Sequence, residues 1–257
     1  MEYALITGAS SGIGLEFAKV FASKKINLVL VARSVDKLNS LANELESNYQ
    51  IKVEVINIDL SVSENIYILY EKISEAKIKI KYLINNAGFG LKGEFLDLNL
   101  GLQQDMLRLN IESLTTLCWL FGRSMKKNKS GYILNVASVA AFFPGPYMSV
   151  YYATKSYVMS FSLALAEELN KYGVVVNVLC PGPTESKFSD TANMGNSFLF
   201  KLTKLATSKD VAEFGYKQLI KEKRISIYGL NNKVIVFISK MFPKIIFSKL
   251  ISFLHKS

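Results

Sequence analysis

Seven short runs rich in β-branched and aromatic residues recur along the chain with helical stretches between them, and that alternation limits the fold more than any other feature. The runs are Tyr3 to Ile6, Asn27 to Val31, Val53 to Ile56, Tyr82 to Ile84, Tyr132 to Val136, Val174 to Leu179 and Ile225 to Ile227. Several of them, among them Leu28 to Val31 and Val174 to Val176, are apolar at successive positions. A strand with that pattern is covered on both faces, as in a parallel sheet. Parallel neighbours need a long crossover between them. The stretches from about Gly12 to Lys24, Val35 to Ser47, Ser63 to Ala76, Asn99 to Lys127, Val150 to Lys171 and Ser208 to Lys221 supply it as helices. The pattern predicts a doubly wound α/β domain with one seven-stranded parallel sheet and ligands at the carboxyl ends of its strands.

The first run leads straight into Thr7-Gly8-Ala9-Ser10-Ser11-Gly12-Ile13-Gly14 and then into a helix. Glycines let the backbone turn tightly there, and exposed N–H groups at the helix start favour a pyrophosphate. A plain tight strand-to-helix turn would read the same way, so further residues have to decide. Tyr151 and Lys155 stand four apart on a predicted helix and share a face. A tyrosine with a pKa near 10 is a poor proton carrier at neutral pH, and a neighbouring ammonium favours its phenolate. Tyr147, Tyr152 and Tyr157 have no lysine at that spacing. Ser138, thirteen residues earlier, can hold a substrate oxygen beside the tyrosine.

These motifs resemble those of the short-chain dehydrogenase/reductase family. The glycine turn has its TGxxxGxG spacing, Asn85-Asn86-Ala87-Gly88 its NNAG, Tyr151 to Lys155 its YxxxK, and Pro181-Gly182-Pro183-Thr184 its PG motif with a trailing threonine. The resemblance covers about residues 2 to 228 and implies a Rossmann fold, a nicotinamide cofactor and hydride transfer between a carbonyl and an alcohol, with no metal. It implies that Ser138, Tyr151, Lys155 and Asn110 are catalytic. Asn110 would distort its helix and hold a water linking the lysine to solvent, although a buried amide in an apolar helix is also an ordinary structural group. Cofactor contacts are implied for Thr7, Gly8, Ser10, Ser11, Gly12, Ile13 and Gly14, for Asn86, Ala87 and Gly88, for Tyr151 and Lys155, and for Pro181, Gly182 and Thr184. Thr184 would meet the carboxamide. A cofactor-binding scaffold or sensor with little turnover is the alternative from another class, and the intact tyrosine, lysine and serine speak against it.

The second run ends in Val31-Ala32-Arg33-Ser34, where an acid would bind a ribose 2′-hydroxyl and an arginine accommodates a 2′-phosphate. Arg33 and Ser34 therefore favour NADP(H) over NAD(H). Asp59 is similar to the family residue beside the adenine, and a capping role fits it equally. The substrate lid would run from Glu185 to Thr207, where Phe188, Met194, Phe198, Leu199, Phe200, Leu202 and Leu205 suggest a hydrophobic ketone or aldehyde.

The net charge of +10 is local: from Lys201 to Ser257 twelve basic residues face only Asp210, Glu213 and Glu222. Residues 1–228 read as the reductase domain and 229–257 as a basic extension similar to that of the DltE-like subgroup. After Pro243 a helical wheel gathers Lys244, Ser248, Lys249, Ser252, His255 and Lys256 on one side and Ile246, Phe247, Leu250, Ile251, Phe253 and Leu254 on the other. Such a helix docks on protein or lies on an anionic membrane. Nucleic acid is disfavoured, because the aromatics do not alternate with the lysines. The start of the chain reads as no leader, and Cys118 and Cys180 form no metal-binding spacing and fit a reducing compartment. The expected setting is cytoplasmic, or peripheral at the inner membrane surface, and the family resemblance implies a homodimer or homotetramer.

Overall fold

The computed structural model describes residues 2–185 and 205–256. Its centre is one seven-stranded, all-parallel sheet in the order β3-β2-β1-β4-β5-β6-β9. The strands are β1 (Glu2–Thr7), β2 (Asn27–Ala32), β3 (Val53–Asn57), β4 (Lys79–Asn85), β5 (Gly131–Val136), β6 (Val174–Cys180) and β9 (Ile225–Ile227). A separate two-residue pair, β7 (Thr184–Glu185) with β8 (Ala206–Thr207), closes the path after β6. Every expected strand is present.

The continuous apolar runs have the cause the sequence suggested. Alternate residues of β1 enter different cores: Tyr3 and Leu5 face α3 (Ser63–Glu75), α5 (Leu114–Lys127) and α6 (Ser149–Asn170). Ala4 and Ile6 face α1 (Gly12–Ser23), α2 (Val35–Tyr49) and α7 (Ser208–Ile220), where Phe17 and Phe21 are fully buried. With apolar surface stabilising by about 25 cal/mol per Å² removed from water, both faces of the sheet contribute.

The chain turns from strand order 1-2-3 to 1-4-5-6 beside β1 and β4, which opens a crevice above their carboxyl ends. The glycine turn, the Asn85 to Gly88 turn and the Ser138 turn all leave the sheet at that edge.

One expected helix differs. The stretch from Asn99 to Lys127 is α4 (Leu100–Leu107), then a π-helical segment (Arg108–Ser113), then α5. The extra residue per turn lets the Asn110 side chain leave the helix and bond elsewhere. Beyond β9, Gly229 at φ +84° starts α8 (Leu230–Met241), and α9 (Lys244–Lys256) follows Pro243. In the expected lid, residues 186–204, and with them Phe188, Met194, Phe198, Leu199, Phe200 and Leu202, lie outside the described residues.

Candidate active site

The glycine turn is built to approach another chain segment closely. Gly8 has φ +66° and Gly12 φ +56°, conformations that a side chain disfavours. A Cβ on Gly14 would lie 2.3 Å from the Gly8 carbonyl oxygen. Thr7 Oγ1 accepts hydrogen bonds from the Asn86 and Ala87 N–H groups, both at 3.0 Å, and Asn86 Nδ2 donates to Thr7 O at 3.0 Å. Thr7, Asn86 and Ala87 thus tie the two turns together across the sheet. Ser11 stands at the N-cap of α1 in an extended conformation and makes no side-chain cap bond. The positive end of α1 and its leading N–H groups remain available for an anion.

Ser10, Ser11 and Gly12 line an open cleft of about 400 Å³, with Leu15, Glu16, Lys37, Glu185 and Ser208 around it. Ile13, partly buried, packs behind the turn. The uncapped helix start and the tight glycine turn beside it fit a dinucleotide pyrophosphate. Lys37, on α2, adds a cation beside this cleft that the sequence reading did not single out; its only signal was its position four residues after Arg33.

Arg33 is exposed at the end of β2, and its Nη1 lies 3.6 Å from Asp59 Oδ2. Burial raises the Asp59 pKa, but the Ser61 N–H and hydroxyl, with Arg33, outweigh it and hold the carboxyl below its usual range. Asp59 therefore organises the loop before α3 as well as pairing with Arg33. Ser34 is the N-cap residue of α2 and leaves its own side chain out of the cap.

The catalytic candidates meet between β5 and α6. Ser138 follows β5; its Oγ accepts from Ala140 N at 3.1 Å and hydrogen-bonds the Tyr151 phenol. Tyr151 and Lys155 lie on one face of α6, both buried, with Lys155 Nζ 5.8 Å from the Tyr151 ring centre. Lys155 donates to Val136 O at 2.9 Å. Asn110 is 1% exposed; it donates to Phe89 O at 3.0 Å and Thr154 Oγ1 at 3.1 Å and accepts from Phe89 N at 3.1 Å. It joins the π segment, the turn after Gly88 and α6. A Cβ on Gly88 would sit 2.8 Å from Asn110 Oδ1 and 3.5 Å from Lys155 Nζ, so this turn also needs a glycine.

Electrostatics differ from the sequence expectation of a lowered tyrosine pKa. Burial pushes Tyr151 up to about 12, with the Ser138 hydrogen bond acting against it. Burial also lowers Lys155 to about 8, opposed by the neighbouring Cys180. The reason is that both side chains are buried, and burial penalises the charged form of each, the phenolate of Tyr151 and the ammonium of Lys155. Tyr151 is thereby held as a neutral acid at neutral pH.

Pro181, Gly182 and Thr184 follow β6. Val139 N donates to Pro181 O at 2.9 Å, and Thr184 Oγ1 donates to Gly182 O at 2.9 Å. A Cβ on Gly182 would be 2.4 Å from Asn232 Nδ2 of α8, so the extension packs directly on this turn. Phe247 and Ile251 of α9 are buried in one apolar cluster with Met106, Phe143, Met148, Tyr151 and Tyr152. The extension docks through part of its apolar side, whereas Ile245, Ile246, Leu250 and Phe253 stay exposed. Cys118 and Cys180 are buried free thiols. Among the described residues no group of His, Cys, Asp and Glu stands ready for a metal, and no helix is long and apolar enough to cross a membrane.

Residues 2–196 match the family described as short chain dehydrogenase. The chain is 35% identical over 185 residues to human 17-beta-hydroxysteroid dehydrogenase type 3, covering 70% of this chain and 58% of that protein. It thus spans less than two thirds of that relative's length. Mouse very-long-chain 3-oxoacyl-CoA reductase is 28% identical over 267 residues, covering 100% of this chain and 80% of its own. Among solved structures, a short-chain dehydrogenase from Sphingobium yanoikuyae in complex with NADPH superposes with a TM-score of 0.83 at 30% identity, covering 90% of this chain and 89% of that one. A bulky-bulky ketone specific alcohol dehydrogenase from Comamonas testosteroni gives 0.80 at 27% identity, covering 94% and 92%.

Proposed function

Because this chain belongs to the short-chain dehydrogenase family, we propose that it is an NADP(H)-dependent oxidoreductase working on a hydrophobic ketone or aldehyde and the matching alcohol. The observation that carries the reading is the Ser138–Tyr151 hydrogen bond beside buried Lys155, at the same edge of the sheet as the uncapped helix start that follows the glycine turn. When bound, the nicotinamide supplies or takes up the hydride. Ser138 orients the carbonyl oxygen, and neutral Tyr151 gives it a proton during reduction. As phenolate character grows on Tyr151, Lys155 and the Ser138 hydroxyl stabilise it. Asn110 positions the turn after Gly88 and the start of α6. Its proposed water link to Lys155 belongs to this reading.

Arg33, the absence of an acid at the end of β2, and Lys37 beside the cleft support NADP(H) over NAD(H). The likeness to a very-long-chain 3-oxoacyl-CoA reductase and to a bulky-bulky ketone specific alcohol dehydrogenase supports a large apolar carbonyl compound as substrate. Residues 1–228 form the reductase domain in this reading and 229–257 its extension. Exposed Trp119 on α5 and Tyr157 on α6 support pairing of these helices in a homodimer or homotetramer. The exposed apolar and basic side chains of α8 and α9 support peripheral contact with an anionic membrane.

Purified protein is expected to oxidise NADPH with medium-chain or bulky ketones. Tyr151→Phe should lower turnover by about 10²-fold or more while leaving NADPH bound. Tight NADPH binding without turnover across a broad carbonyl panel would instead favour a cofactor-binding scaffold.

A further inference from the structure

The sequence reading treated the extension as separate from the chemistry, and the structure does not. Phe247 lies 5.1 Å, ring centre to ring centre, from Phe143. Phe143 lies 6.0 Å from Tyr152, and Tyr152 meets Tyr151 edge-on at 6.1 Å. A continuous line of rings therefore runs from the last helix to the tyrosine. Ile251, one helical turn after Phe247, is buried in the same cluster, 5% exposed against 7% for Phe247.

The positions of these residues give the cluster a function. Ala140 and Phe143 belong to the turn that starts with Ser138, and Phe89 and Leu91 follow Gly88 on the far side. An apolar substituent on a carbonyl held by Ser138 and Tyr151 would lie against this cluster, since Tyr151 is itself one of its members. Phe247 and Ile251 are its members most distant in sequence.

We propose that Phe247 and Ile251 determine substrate size: α9 forms the outer wall of the substrate pocket, and these two side chains set how long or bulky an apolar group can stand beyond the carbonyl. This rests on the reductase reading of Ser138 and Tyr151. Sealing by the same helix accounts for part of the burial that keeps Tyr151 protonated. In a pocket of this kind, a gain or loss of one methylene shifts preference by roughly 10–200-fold.

The test is a series of alkyl ketones of increasing length, measured with wild type, Phe247→Ala and Ile251→Ala. The ratio of kcat/KM for long over short ketones is expected to rise at least about tenfold in both variants, with NADPH affinity unchanged. Ile245→Ala, on the exposed side of α9, should leave the ratio alone. Phe247→Leu and Ile251→Val, which open less space, should shift it in the same direction if the alanine variants do not fold. A common factor for all ketones, or an equal shift in Ile245→Ala, would overturn the proposal. Calorimetric binding of the same ketones to NADPH-loaded Tyr151→Phe, with and without Phe247→Ala, reads pocket length without turnover. If wild type reduced no ketone, the reductase reading would fail by itself. A length dependence that Phe247→Ala left unmoved in that binding series would still overturn the wall.

Discussion

Tyr151 is kept an acid by being sealed, and Lys155 shares its burial at the cost of a lower pKa. Lys155 drops from its usual 10.5 to about 8 in the folded chain. Between those values the unfolded chain binds more protons than the folded one, so folding is favoured as pH rises. Compared with Lys155→Met, wild type should therefore gain stability from about pH 8 to 10.5 and lose that gain as pH falls through 8. The size should be of order 1–3 kcal/mol in denaturant titrations at several pH values. If the proposed reading holds, Arg33→Glu at the end of β2 should raise KM for NADPH by about 10–100-fold and bring NADH nearer parity, since a charge-assisted contact is exchanged for repulsion. Steady-state kinetics with both cofactors would check it. Tyr151, Lys155 and Ser138 were picked out in the sequence by the match to the family's motifs and by the shared helix face of the tyrosine and lysine, and Arg33 by its place at the end of the second strand. The direction of the Tyr151 shift was not legible, because part of the burial comes from Met106 and α9, far away in sequence. Lys37 was missed since a lysine early in a helix looks like any solvated charge until the cleft is seen.

Among the elements, the strands were readable to within a few residues, since each run stops where a turn residue or a charge interrupts it. The π segment at Arg108–Ser113 was foreseen only through the family resemblance, which implied that Asn110 distorts its helix; by hydrophobic pattern Asn99 to Lys127 reads as one unbroken helix. Asn110 lies within it, and its amide holds Phe89 and Thr154. π-bulges of this sort often accompany functional positions. Asn110→Leu would leave the Phe89 N–H and carbonyl without their partner in a buried place. A loss of about 2–4 kcal/mol is expected, measured as a lower urea midpoint at unchanged slope, together with reduced turnover because the Gly88 turn and α6 are no longer joined. The extension shows the same limit of sequence reading. Its wheel has one broad apolar side, and only packing could divide that side into an inner strip, Phe247 and Ile251, and an outer one, Ile246, Leu250 and Phe253.

For the molecule as a whole, the charge and the greasy surface coincide. The last two helices carry Lys233, Lys240, Lys244, Lys249 and Lys256 without an acid, next to exposed Phe237, Met241, Phe242 and Ile245. Lysines near an anionic bilayer contribute about 1 kcal/mol each and are screened by salt. Co-sedimentation with phosphatidylglycerol vesicles at low salt should therefore exceed that with neutral vesicles, and Lys244→Glu with Lys249→Glu should weaken it more than about tenfold. Equal binding to both vesicle types would remove the membrane contact. The strand order has a consequence for how the chain is made. β1 is made before the other strands of the sheet, yet it lies in the middle of it between β2 and β4, with Glu2 paired to Lys79 and Tyr3 to Ile80. Its second edge stays bare until that segment emerges, and the far side of the sheet waits for Ile225–Ile227. Such distant pairings slow folding and leave an apolar strand open to wrong partners meanwhile. A growing chain therefore cannot settle its oldest strand early, and any fragment that stops before Lys79 is expected to be sticky rather than folded.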